Sequence, residues 1–344
     1  MPFYRFEGMK SYRFNPHLST ADGPVIEGET MYFRMVTKKA GTGAELHYHP
    51  NELLAFPLSG KVDCIVGKDR RILQPGMLVH FPPFARHGFK ATEDGDLKYL
   101  YIKDRTWTLI GAAADEALPD KALTATQVQK DFRAGKYPGG RKEPEKSQAI
   151  IEGLGNCYYP MIDSLEAPPA SGHCERWVEG TNIAFGFVES PPGHAQEAKR
   201  AEHEIFLYVI AGGLDARVGK KKQKVGAGDV IHVPRGTAYR WTVRKGGAVR
   251  YAAVRSTLRL EAAVRKHGAA DNWRGRSDYQ GAKFSPTTST NRDSRRTIDN
   301  GRYHIEIRLL SRRNSLPMKQ VRRVALLTAR RQRDKRNPHK AILL

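Results

Sequence analysis

Residues 51–60, NELLAFPLSG, lie over residues 203–212, HEIFLYVIAG, at an offset of 152 positions. The register then holds without a gap. GKVDCIVGK at 60–68 lies over GGLDARVGK at 212–220, and GMLVHFP at 76–82 lies over GDVIHVP at 228–234. Glu52/Glu204, Gly60/Gly212, Asp63/Asp215, Gly67/Gly219, Gly76/Gly228, His80/His232 and Pro82/Pro234 are identical pairs. Turn glycines fix where strands end, so keeping them in step marks two copies of one all-β unit.

Outward from this repeat, short β-runs alternate with Gly, Pro and Asn/Asp punctuation. In the first copy they are Met31–Val36, Leu53–Leu58, Val62–Val66, Met77–Phe81 and Leu97–Ile102. In the second they are Ile183–Val188, Ile205–Ala211, Asp229–Val233 and Val249–Val254. No long helix separates successive strands, which argues for antiparallel barrels rather than a parallel sheet with crossovers. Between the copies, ALPDKALTATQVQKDFRAG at 117–135 has helical spacing and runs into the stop signal KYPGG.

The 344 residues suffice for two domains and an appendage. The net charge of +22 is uneven: residues 265–344 carry 21 Lys/Arg against 6 Asp/Glu, and the other 264 residues carry only +7. The basic character therefore belongs to a tail. That tail has no Cys/His finger spacing and no helix-turn-helix pattern; a disordered extension is expected, with weak nucleic-acid binding as its one physical opportunity. No apolar run is long enough to span a bilayer, and none at the N-terminus resembles a secretory signal. Cys64, Cys157 and Cys174 are widely spaced, so no disulfide framework is expected, and a cytoplasmic location follows.

The candidate chemistry lies in the first copy. In GAELHYH at 43–49, His47 and His49 are two apart and share one face of an extended strand, with Tyr48 on the other. His87 follows a Pro-Pro turn in FPPFARH at 81–87. Two same-face imidazoles and a third from a distant strand make a facial three-nitrogen site. Glu45 shares the parity of His47 and is a candidate to orient its ring. Arg86 is a candidate partner for an anionic substrate. Lys199, Ala201 and Tyr239 occupy the three positions in the second copy, so no three-His site is expected there; only His194 and Gln196 lie near enough in sequence to suggest a shifted one. His80 is repeated as His232 in that copy, which points to a structural hydrogen bond.

GAELHYHPNELLAFPLSG with LQPGMLVHFPPFARHGF resembles the paired motifs of the cupin superfamily, and EHEIFLYVIAGGLDARVG with GAGDVIHVPRGTAYRW resembles the same pair again. The resemblance spans about residues 25–255 and implies a bicupin. The expected fold is all-β: tandem double-stranded β-helix (jelly-roll) barrels with a short helical linker and a basic C-terminal tail. The expected organisation is 1–110 for the N-terminal barrel, 111–175 for the linker, 176–262 for the degenerate C-terminal barrel and 263–344 for the tail.

The cupin pattern places a metal-binding Glu or Gln seven residues before the motif glycine. Here that slot is Leu53, and Glu52 is one residue off; Glu52 is carried as a fourth candidate ligand, reachable through a local bulge. The resemblance implies one divalent metal, Fe(II) first, with Mn, Ni or Zn as alternatives. It also implies a homodimer acting on a small-molecule substrate. The expected activity is that of a gentisate-type or related cupin dioxygenase on a small hydroxylated aromatic or carboxylate. The alternatives are a metal-assisted isomerase or lyase on a sugar acid or keto acid, and a non-catalytic sensor.

Overall fold

A computed structural model describes residues 1–136 and 142–257, together with the strands Lys283–Thr287, Thr297–Asp299 and His304–Glu306. Most of the KYPGG stop and most of the basic tail, with the disorder expected of it, lie outside the described residues.

The repeat extends further than the motifs suggested. Met31–Lys38, Gly43–Tyr48, Leu53–Ser59, Met77–Phe81 and Leu97–Asp104 recur, shifted by 152, as strands Ile183–Ser190, Ala195–Arg200, Ile205–Ala211, Asp229–Val233 and Val249–Ser256, and Asp69–Leu73 recurs one residue longer as Lys221–Gly226. Each copy folds into two facing antiparallel sheets. In the first, one sheet centres on Leu53–Ser59, Leu97–Asp104 and Met31–Lys38; the other holds Gly43–Tyr48, His87–Ala91, Val62–Val66 and Asp69–Leu73. The fold is a tandem of all-β barrels, as the repeat required, and of the jelly-roll type that the cupin resemblance implied.

Alternation along the strands divides the side chains between two environments. Along Met31–Lys38, Val36 packs inside the first barrel, while Met31, Phe33 and Met35 face the second barrel. Leu53 and Ala55 point inward; Leu54 and Phe56 point outward into the shared core. There they meet Phe185, Phe187 and Phe206. Phe33 and Phe206 stack with centroids 4.9 Å apart and planes 4° from parallel. The central strands are thus buried on both faces, which is why they read as continuous apolar runs.

The barrels also exchange strands. Phe3–Arg5, which precedes the first barrel, pairs with Asp229–Val233 of the second. Tyr158–Pro160, which precedes the second, pairs with Met77–Phe81 of the first. The ends of the expected 1–110 and 111–175 segments therefore serve the opposite barrel. Because core and edges are shared, truncating Leu54 to alanine is expected to lower the stability of both barrels together. The cost is about 3 kcal/mol, read by urea titration as one transition moving to lower urea; separate transitions would show the barrels to be energetically independent.

The linker contains the expected helix at Ala125–Arg133. The Thr124 hydroxyl caps it by accepting from the Gln127 N–H at 3.1 Å. Among the described residues no helix is long and apolar enough to cross a membrane.

Candidate metal centre

Gly43–Tyr48 and His87–Ala91 are neighbours in one sheet, with His47 directly opposite His87. His49 follows the end of its strand. The turn before His87 is held by backbone bonds: the Phe84 N–H donates to the His49 carbonyl at 2.8 Å, and the Arg86 N–H donates to Ile150 at 2.9 Å. Phe84 itself takes a left-handed φ of 64°, a strained conformation for a non-glycine residue. The strain lies between the Pro-Pro turn and His87, where the chain must re-enter the sheet with its imidazole inward.

These constraints bring the three rings together. Ring centroids are 4.2 Å apart for His47–His87 and 4.7 Å for His49–His87. One nitrogen from each ring lies within 4.8 Å of the other two. Each Nδ1 faces a backbone carbonyl: Glu45 at 2.7 Å for His47, Asn51 at 2.9 Å for His49 and Ala85 at 2.7 Å for His87. Nδ1 therefore carries the proton and donates it, leaving the Nε2 lone pair free to bind. The Nε2 atoms of His49 and His87 are buried with no hydrogen-bond partner. Leaving buried acceptors empty costs about 1–3 kcal/mol each; a cation shared by the rings removes that cost. Burial lowers the His47 pKa to about 4 and holds His49 and His87 well below the usual histidine range, so all three are neutral donors near pH 7. The set fits a divalent first-row metal.

Three candidates fall outside this cluster. Glu52 is fully buried, but its carboxylate accepts from His80 Nε2 at 2.7 Å and from the backbone N–H groups of Thr181, Asn182 and Ile183 at 2.7, 2.6 and 2.9 Å. It faces the second barrel, as its strand parity dictates, and no bulge brings it round. Glu45 is exposed; a register shift between Ala44 and His47 breaks the parity that linked it to the ring, and its backbone carbonyl orients His47 instead. Arg86 sits in the turn before His87, donates to the Gly67 carbonyl at 2.7 Å and is not among the residues lining the histidine pocket.

Sequence reading passed over two cations that do line the pocket. Arg34 and Lys38 project into it beside the three histidines, together with Leu53, Phe81, Phe89, Tyr99 and Tyr101. Both are 3% exposed. Their signal was present: in MYFRMVTK, Arg34 and Lys38 share the parity of Val36 and must face inward. Leu53, in the slot where the cupin pattern has a ligand, forms part of the wall, and Phe56 belongs to the shared core.

The second barrel has the same frame without the donors. Lys199 pairs with Tyr239 just as His47 pairs with His87. His194 stacks on His173 at 4.1 Å, and His173 is taken by Ser190 and Glu175 at 2.8 and 3.2 Å. Among the described residues, His47, His49 and His87 are the one group of this kind. His232 reproduces the His80 contact, meeting Glu204 at 2.8 Å.

Comparison with known proteins gives one family model and several solved structures of similar fold. The family model described as "Cupin domain" matches residues 34–103 and 186–255. A search of curated proteins finds no match. Among solved structures, an oxalate decarboxylase studied for its substrate binding mode and a reaction specificity switch is 16% identical at a TM-score of 0.51, covering 74% of this chain and 77% of its own. A point mutant of Bacillus subtilis oxalate decarboxylase is 17% identical at 0.50, over the same shares. AerE from Microcystis aeruginosa is 13% identical at 0.50, covering 75% of this chain and all of its own. At such identities the likeness extends to the fold alone.

Proposed function

We propose that this protein, a bicupin carrying two cupin domains in tandem, is an Fe(II)-dependent dioxygenase acting on a small hydroxylated aromatic or carboxylate in its N-terminal barrel. The observation that carries this reading is the set of three neutral imidazoles, with the Nε2 atoms of His49 and His87 buried and unpartnered, and no carboxylate among the residues lining their pocket. Iron held by neutral ligands keeps its full charge and open positions, which is what joint activation of a chelating substrate and dioxygen needs.

The remaining work falls to the chain. The carbonyls of Glu45, Asn51 and Ala85 fix the ring orientations. Leu53, Phe81 and Phe89 form a wall that keeps bulk water from the reacting atoms. Lys38, whose ammonium burial lowers to about 7, is a proton-carrying group in the pocket and attracts a substrate anion. The test is oxygen uptake by the iron-loaded full-length protein against a panel of phenolic and hydroxy acids. Oxygen consumed in step with substrate is expected; no uptake with any member of the panel would count against the reading.

Lys38 also favours a second reading, a metal-assisted lyase or isomerase in which it delivers the proton. Turnover under nitrogen with Zn or Mn in place of iron would select that chemistry.

A further inference from the structure

We propose that Arg34 and Lys38 form a carboxylate-binding subsite, so that the N-terminal pocket selects small substrates carrying a chelating group at one end and a carboxylate at the other. This rests on the metal reading for the chelating end; the subsite itself stands on the two cations.

The argument is one of uncompensated charge. Arg34 and Lys38 are both nine-tenths buried or more and line the same pocket as the histidines. Among the described residues neither makes an ion pair, and the pocket wall contains no Asp or Glu. An arginine stays protonated at any physiological pH. Asp22 acts on the Arg34 charge only from beyond ion-pair distance, so burying these two cations remains costly, and a bound anion offsets that cost.

Existing contacts position these groups without neutralising them. Arg34 donates through Nη2 to the carbonyls of Tyr12 and Gly23, at 2.9 and 3.3 Å, while its buried Nε has no partner. The guanidinium lies over Phe14 and Tyr101, with 4.5 and 5.4 Å to the centroids. Lys38 donates to the Phe89 carbonyl and lies over the Phe89 and Tyr99 rings. Carbonyls and ring faces supply partial charge only. They leave a donor at Arg34 Nε and further protons on Lys38, the set a carboxylate satisfies. Strand geometry adds the spacing: Arg34 and Lys38 are four residues apart on one face of Met31–Lys38, with Val36 between them, so they flank the pocket from one wall while the histidines occupy another sheet.

The test uses calorimetry on the full-length protein loaded with Zn(II), which binds without oxygen chemistry. Protocatechuate and catechol share a chelating diol and differ in the distal carboxylate. Wild-type protein is expected to bind protocatechuate roughly tenfold tighter or more than catechol. Arg34→Met and Lys38→Met should each weaken protocatechuate binding by a larger factor than catechol binding, eroding that preference, while zinc content is unchanged. Equal affinity in wild type, or a preference that survives both substitutions, overturns the subsite. Benzoate titrated into metal-free protein separates the two readings. If zinc fails to bind but benzoate binds and is lost in the variants, the metal reading fails and the subsite stands. Absence of benzoate binding, with zinc bound and no protocatechuate preference, removes the subsite alone. Should Arg34→Met fail to fold, Lys38→Met decides the same question.

Discussion

Substituting His87 by alanine is expected to empty the metal centre. The ring contributes one of three donors, and its Nε2 is buried without another partner, so nothing nearby replaces it. Loss of a group that only orients a ligand costs about 10–100-fold in metal affinity; loss of the ligand itself costs at least that. Elemental analysis should find close to one equivalent in wild type and a small residue in the variant. His80→Ala is the informative control. His80 is equally buried and only seven residues away, but it is committed to Glu52. That variant should be less stable and keep its metal. Equal metal in wild type and His87→Ala would remove the proposed centre.

Glu52→Ala is expected to be the most destabilising single substitution of the site candidates. It deletes the acceptor for three backbone N–H groups of residues 181–183 and for His80, all in the barrel interface. Orphaning buried partners of a charged group costs about 3–5 kcal/mol. The second barrel makes the reciprocal contact: Glu204 accepts from the N–H groups of Glu29 and Thr30, from the Thr30 hydroxyl and from His232. Burial alone would raise the Glu204 pKa, but these donors outweigh it and hold the carboxyl below its usual range. Glycine makes each approach feasible; a Cβ at Gly180 would lie 2.2 Å from Glu52 Oε1, and one at Gly28 would lie 2.3 Å from Glu204 Oε1. Urea denaturation with parallel metal analysis checks the assignment. Lowered stability with metal retained identifies an interdomain clasp, whereas unchanged stability with metal lost would make Glu52 a ligand after all.

The histidine triad was legible because two local rules place it. Strand parity aligns His47 with His49, and the Pro-Pro turn returns His87 to the adjacent strand. Glu45 was misjudged by that same parity, since a single register shift upstream of His47 overrides it. Arg86 was chosen on adjacency to His87, but the turn that precedes the strand commits it to the Gly67 carbonyl. Arg34 and Lys38 share the parity of Val36 and so were legible as inward-facing, but charges in a β-run suggest an exposed face; the second barrel, packed against Met31, Phe33 and Met35, leaves the face opposite the two cations as the apolar one.

Residue order alone determined the duplicated all-β scaffold, since turn glycines and two-residue alternation act over a few positions and need no distant partner. It also determined which copy holds metal donors. Tertiary structure alone decided the role of Glu52, whose backbone partners lie about 130 positions away, and the exchange of edge strands between barrels. It likewise decided that two cations share an enclosed wall with three imidazoles. Such contacts are set by how two sheets meet and by what burial does to a charge, and neither quantity is written in local periodicity.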